Sequence, residues 1–124
     1  MKTTKMILFS FLLLFLASSL GAQDITKEKS KISTKVLLEN DQVRVLQIES
    51  PVGEVTGLHS HPAYIIYPLN DGKLEETING KTKTTEFKAG VPKYMEAVTH
   101  TAKNVGSTPT KMIIVELKNG SSAK

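Results

Sequence analysis

The chain has 124 residues, a formal net charge of +4 and no cysteine, which excludes thiol nucleophiles, thiolate metal sites and disulfide stapling. That length suits one small domain, which without disulfides needs a good core, an oligomer or a metal for stability. The positive charge says little about partners. Lys2 and Lys5 stand in an apparent leader and the other lysines are scattered, so no nucleic-acid partner is expected.

Residues 1–22 have the grammar of a secretory signal peptide. A short basic start is followed by an apolar run from Met6 to Ala17 and the small-residue segment Ser18-Ser19-Leu20-Gly21-Ala22. The apolar run is too short to span a bilayer, which takes about 20 residues. The expectation is a protein without a stable membrane anchor, secreted or periplasmic after cleavage. Residues 23–34 are polar and lysine-rich and read as a flexible lead-in.

Residues 35–118 read as β throughout. Val36-Leu37-Leu38 ends at the turn pair Asn40-Asp41, and Val43 and Val45 alternate with Arg44 in a second run. Ser50-Pro51-Val52-Gly53 interrupts that run, and residues 54–61 lead into Ala63-Tyr64-Ile65-Ile66-Tyr67, closed by Pro68. Residues 73–78 and 81–87 flank Asn79-Gly80, a pair that supplies the positive φ angles of a two-residue hairpin turn. Its register sets Ile78 opposite Lys81, Glu76 opposite Lys83 and Lys73 opposite Glu86. Further strands are expected near 93–95, 98–104 and 111–118, and residues 119–124 form a tail. Many short strands without helical periodicity argue for an all-β barrel or sandwich.

All three histidines fit one metal site. His59 and His61 form an H-x-H pair, and i and i+2 side chains on a strand share a face at a spacing of about 7 Å. His100 can join them from a distant strand where a closed sheet faces one interior. Imidazole is a common ligand for zinc, iron and nickel. If the inward phase of His59 and His61 continues, Ala63, Ile65 and Tyr67 point inward too. Tyr67 is then the candidate catalytic residue, as a phenol beside the metal.

The pattern resembles a small single-domain cupin of the RmlC-like superfamily. Gly53, His59, His61 and Gly72 match the spacing of the first cupin motif, G-x5-H-x-H-x3-4-E-x6-G. His100 and Asn104 match the H-x3-N that ends the second, and the Asn-Gly hairpin and Lys88-Ala89-Gly90 fall between the motifs. The resemblance implies a jelly-roll-like double-stranded β-helix over residues 35–118. It implies a divalent metal ion (Fe, Zn, Ni or Mn), a small-molecule substrate or ligand, and a possible homodimer. The implied activity is of the dioxygenase or isomerase type, and the alternative is a non-catalytic metal- or ligand-binding barrel.

The chain departs from the family pattern twice. Ile65 stands where the motif has its glutamate ligand, and Met95-Glu96-Ala97 replaces the P-x-G before the last histidine. Two glutamates remain as candidate fourth ligands. The hairpin register assigns Glu76 to a surface pair with Lys83, and Glu96 reaches the site only if the loop before His100 folds inward. With three neutral histidines alone, the metal keeps its full positive charge and acidifies bound water strongly.

Overall fold

The computed structural model describes residues 23–27 and 30–118. The signal peptide assigned to residues 1–22 and the tail at 119–124 lie outside the described residues. Ten strands run in chain order: β1 Gln23–Asp24, β2 Ser33–Glu39, β3 Val43–Ser50, β4 His59–His61, β5 Tyr64–Pro68, β6 Gly72–Ile78, β7 Lys81–Phe87, β8 Lys93–Met95, β9 Val98–Asn104 and β10 Thr110–Leu117. They form two five-stranded sheets, ordered β1-β4-β9-β6-β7 and β2-β3-β10-β5-β8.

Alternation sets which side of the second sheet is buried. Leu46 and Ile48 on β3, Ile66 on β5, and Met112 and Ile114 on β10 are buried at two-residue spacing. Each such side chain contributes about 2 kcal/mol when removed from water. The hairpin register is as the sequence predicts, with Ile78 opposite Lys81, Glu76 opposite Lys83 and Lys73 opposite Glu86. Asn79 and Gly80 both take positive φ, at 49° and 75°, as the turn requires. Gly72 has a packing role, since a Cβ there would lie 2.8 Å from Thr110 Cγ2.

Residues 23–34 are not a flexible lead-in where they are described. Gln23 and Asp24 pair in parallel with His59 and Ser60, and Ser33 and Thr34 already belong to β2. Ile25, in a single 3-10 turn, is 3% exposed and Ile32 is 9% exposed. Two isolated isoleucines in a polar stretch carry no periodicity, yet each enters the core between the sheets.

The phase expected from His59 through Tyr67 breaks at Pro62-Ala63. β4 pairs with β9 in the first sheet, whereas β5 pairs with β10 and β8 in the second. The chain changes sheets there, and Pro62 cannot donate to a ladder. After the switch Tyr64, Ile66 and Pro68 are buried, and Tyr67 is 43% exposed on the outer face.

Candidate metal centre

β4 and β9 present the three histidines from adjacent strands. His59 lies directly opposite His100, and His61 lies opposite Val98. All three are buried, and one ring nitrogen from each falls within 4.8 Å of the others. His100 Nε2 is 3.0 Å from His59 Nε2. Two nitrogens bound about 2.1 Å from one ion at right angles would be about 3 Å apart, so this spacing fits shared coordination.

The Nδ1 atoms face acceptors. His59 Nδ1 is 2.9 Å from the Gly57 carbonyl oxygen, which can only accept, so Nδ1 carries the proton. His61 Nδ1 is 2.8 Å from Glu116 Oε1. His100 Nδ1 is 3.0 Å from Glu76 Oε1, at ion-pair distance but without hydrogen-bond alignment. These partners orient the rings and leave Nε2 as the lone-pair nitrogen. With Nδ1 protonated on both rings, the facing Nε2 atoms of His59 and His100 present lone pairs that a metal ion between them would join; with the His100 proton on Nε2 instead, the same 3.0 Å contact is a hydrogen bond to His59.

Both carboxylates stay ionised. Contact with His100 holds the Glu76 carboxyl below the usual glutamate range against the opposing effect of burial. Burial is the largest influence on Glu116 and acts upward, but hydrogen bonds from His61 and Arg44 together outweigh it and hold the carboxyl low. Glu116 Oε2 accepts from Arg44 Nε at 2.7 Å, and Arg44 Nη1 donates to Asp24 Oδ2 at 2.7 Å. A charged chain therefore runs from the N-terminal strand through Arg44 and Glu116 to His61. The histidines therefore sit in a negatively charged setting, and these carboxylates would reduce the acidification of water on a bound ion.

Neither Glu76 nor Glu96 stands with the three histidines in the group placed to share one ion. Glu76 is register partner to Lys83, but its side chain is 8% exposed and turns to His100 Nδ1, on the far side of that ring from Nε2. Its parity with Leu74 on the inner face decides this orientation. Glu96 is exposed in the bend between β8 and β9. Ile65 lies on the outer face, in register with Val115 and Tyr94. Tyr67 is corrected likewise: the phenol near the site belongs to Tyr64, whose ring centroid is 4.6 Å from that of His61. Burial raises the Tyr64 phenol well above its ordinary value, with Glu76 and Glu116 adding to the shift, so it stays protonated. Asn104 closes a turn, donating to Ser50 O and Thr108 O and accepting from Gly106 N.

Sequence reasoning missed Glu116, Arg44 and Asp24. Glu116 shares parity with Met112 and Ile114 in an apolar strand, and that parity was the available signal for an inward carboxylate. A cavity of about 50 Å³ lies beside His59 and His100, room for only a few water molecules. Its wall is mainly Ile, Leu, Phe and Met.

Solved structures similar to the chain include cupins. A cupin domain from Bordetella pertussis Tohama I matches with a TM-score of 0.65 at 27% identity, over 70% of this chain and 93% of that one. An RmlC-like cupin with a double-stranded β-helix fold from Methanocaldococcus jannaschii matches at 0.56 and 18%, over 69% and 79%. A predicted oxalate decarboxylase from Thermotoga maritima matches at 0.53 and 24%, over 75% and 85%. No family model matches the chain, and no curated protein matches it.

Proposed function

We propose, from the premise that the chain is a small cupin, that it binds one divalent metal ion through Nε2 of His59, His61 and His100 and acts as a metal-dependent enzyme on a small molecule. The observation that carries this reading is that the Nδ1 atoms face acceptors while one ring nitrogen of each histidine lies within 4.8 Å of the others, His59 and His100 meeting through Nε2 at 3.0 Å. Charge supports it as well. Asp24, Glu76 and Glu116 carry three negative charges and Arg44 one positive. The remainder is two negative charges, which a divalent cation cancels.

When bound, Fe²⁺ would supply oxygen chemistry and Zn²⁺, Ni²⁺ or Mn²⁺ would polarise a substrate oxygen. Glu76 and Glu116 fix the orientation of His100 and His61. Tyr64, kept protonated, can donate a hydrogen bond near His61. The apolar wall limits water around the reacting atoms. Secretion or export to the periplasm after cleavage of residues 1–22 completes this reading.

One observation favours the second reading, a non-catalytic metal- or ligand-binding barrel. Both carboxylates near the histidines are already engaged, which leaves neither as a free general base. Metal analysis of untagged protein tests the common core of both readings. The expected result is one divalent ion per chain in wild type and none retained by His100→Ala. Wild type without metal affinity, or undiminished binding by His100→Ala, overturns the site.

A further inference from the structure

Two features of the cavity beside the histidines are not explained by metal binding. The first is the charge of its wall. Around the His59–His100 pair stand Ile48, Ile66, Phe87 and Met112, with Thr56 and Thr110 as neutral polar groups. Among the described residues Glu76 is the one charged carboxylate in the lining, and no lysine or arginine side chain belongs to it. Arg44 is spent on Glu116 and Asp24, and Lys93 Nζ stands over the Phe87 ring, 5.4 Å from its centroid. With a divalent ion bound, the network has no net charge left to attract an anion. Burying an unpaired carboxylate or phosphate beside Glu76 would carry a large desolvation penalty.

The second feature is the origin of part of the wall. Ile25 and Ile32 line the cavity, and both come from the segment before β2. Ile25 is fixed from two sides. Gln23 and Asp24 pair with β4, the strand that carries His59 and His61. Asp24 also forms the 2.7 Å ion pair with Arg44 and accepts from Thr26 N at 2.9 Å, which shapes the turn holding Ile25. The same ion-pair chain that reaches His61 thus sets one side of the cavity.

We propose that this cavity takes a small, neutral, predominantly apolar ligand, and that Ile25 is the side chain that limits the ligand's size. The inference rests on the metal-site reading above and names its ligand class. Dicarboxylates such as oxalate fall outside that class.

Co²⁺ serves as the probe metal, and acetamide, acetate and benzamide as probe ligands. Binding is read from the paramagnetic relaxation of each ligand's protons, with Co²⁺ affinity measured separately by calorimetry. Water-exposed Co²⁺ prefers the charged carboxylate. In this site acetamide is expected to bind at least as tightly as acetate, while benzamide is excluded. Ile25→Ala should then tighten benzamide by about tenfold or more, the scale of a reshaped apolar pocket. It should leave Co²⁺ affinity within about twofold, because Ile25 is not a ligand. Ile25→Val trims the same wall by one methylene and should show the trend in smaller measure if the alanine variant is unstable. Preference for acetate over acetamide overturns the ligand class. Benzamide binding to wild type, or no gain in either variant that retains Co²⁺, overturns the role of Ile25. Failure of wild type to take up Co²⁺ overturns the metal reading itself, and that result is separable from the other two.

Discussion

Glu116 Oε1 lies 2.8 Å from His61 Nδ1 and its Oε2 lies 2.7 Å from Arg44 Nε, so one carboxylate joins a candidate metal ligand to a partly buried guanidinium. The carboxylate both fixes the His61 tautomer and adds negative charge behind the ring.

Glu116→Gln keeps the shape and removes that charge. Metal affinity should fall about 10–100-fold, the usual cost of losing such an outer partner. Arg44 would keep only Asp24, and stability should fall by roughly 3 kcal/mol. Calorimetric titration and urea unfolding measure the two effects. Unchanged metal affinity would mean that His61 is oriented by packing alone.

Asp24 gives the chain an acid-sensitive element. Burial is the largest single influence and acts upward, but hydrogen bonds from Arg44 and Thr26 together outweigh it and leave the carboxyl well below its ordinary value of 3.8. A depressed folded pKa means that the stabilisation is present above pH about 4 and is lost as pH falls below it. Asp24→Asn should be less stable than wild type at neutral pH, and the gap should narrow between about pH 4 and pH 2. Thermal melts at matched pH test this, and a constant gap would count against the ion pair.

The hairpin and the histidine pair were legible in the sequence because their signals are local. Asn79-Gly80 encodes its own backbone angles, and H-x-H places two imidazoles on one face whichever strand they pair with. The phase beyond His61 was not legible. Pro62-Ala63 carries the chain from one sheet to the other, which turned Ile65 and Tyr67 outward and brought Tyr64 in. Ile65→Glu should therefore leave metal affinity unchanged, although position 65 matches the glutamate of the family motif. Glu116 escaped notice because its partners are Arg44 and His61, 72 and 55 residues away.

The outer face of the second sheet bears an apolar line. Leu38, Val45, Val115, Ile65 and Tyr94 are successive register partners across all five strands. Leu38 and Tyr94 at its ends are 50% and 57% exposed. Antiparallel sheets usually turn polar groups to water, so such a line suits a partner surface. A second copy of the chain is one such partner, because the same apolar line opposed to itself would pair apolar side chains with apolar side chains. Sedimentation velocity should show a concentration-dependent dimer that Val115→Lys shifts to monomer. A monomer at every concentration would exclude this interface.

The proposed cleavage of residues 1–22 would carry a structural constraint. β1 begins at Gln23 and pairs with the histidine strand. Processing between Ala22 and Gln23 would keep that strand, and removal of even two more residues would delete it together with the Asp24–Arg44 pair. The intact mass of exported protein should correspond to a chain starting at Gln23. A start beyond Asp24 would contradict the role given to this segment, and an intact Met1 would contradict cleavage.

Metal binding should stabilise the whole domain. The site joins β4 to β9, its outer partners lie on β6 and β10, and Arg44 brings in β3. Both sheets therefore contribute to the arrangement that a cation would bind, and the unfolded chain has no comparable site. At a free ion concentration about 100 times the Kd, linkage gives about 2.7 kcal/mol. For a domain of this size that corresponds to a rise in Tm of about 10–15 °C. His100→Ala should lose the metal-dependent rise, and chelator should return wild type to its metal-free Tm. Tyr67→Phe should keep the full rise, since its ring lies on the outer face. Equal shifts in wild type and His100→Ala would mean that the ion binds elsewhere on the protein.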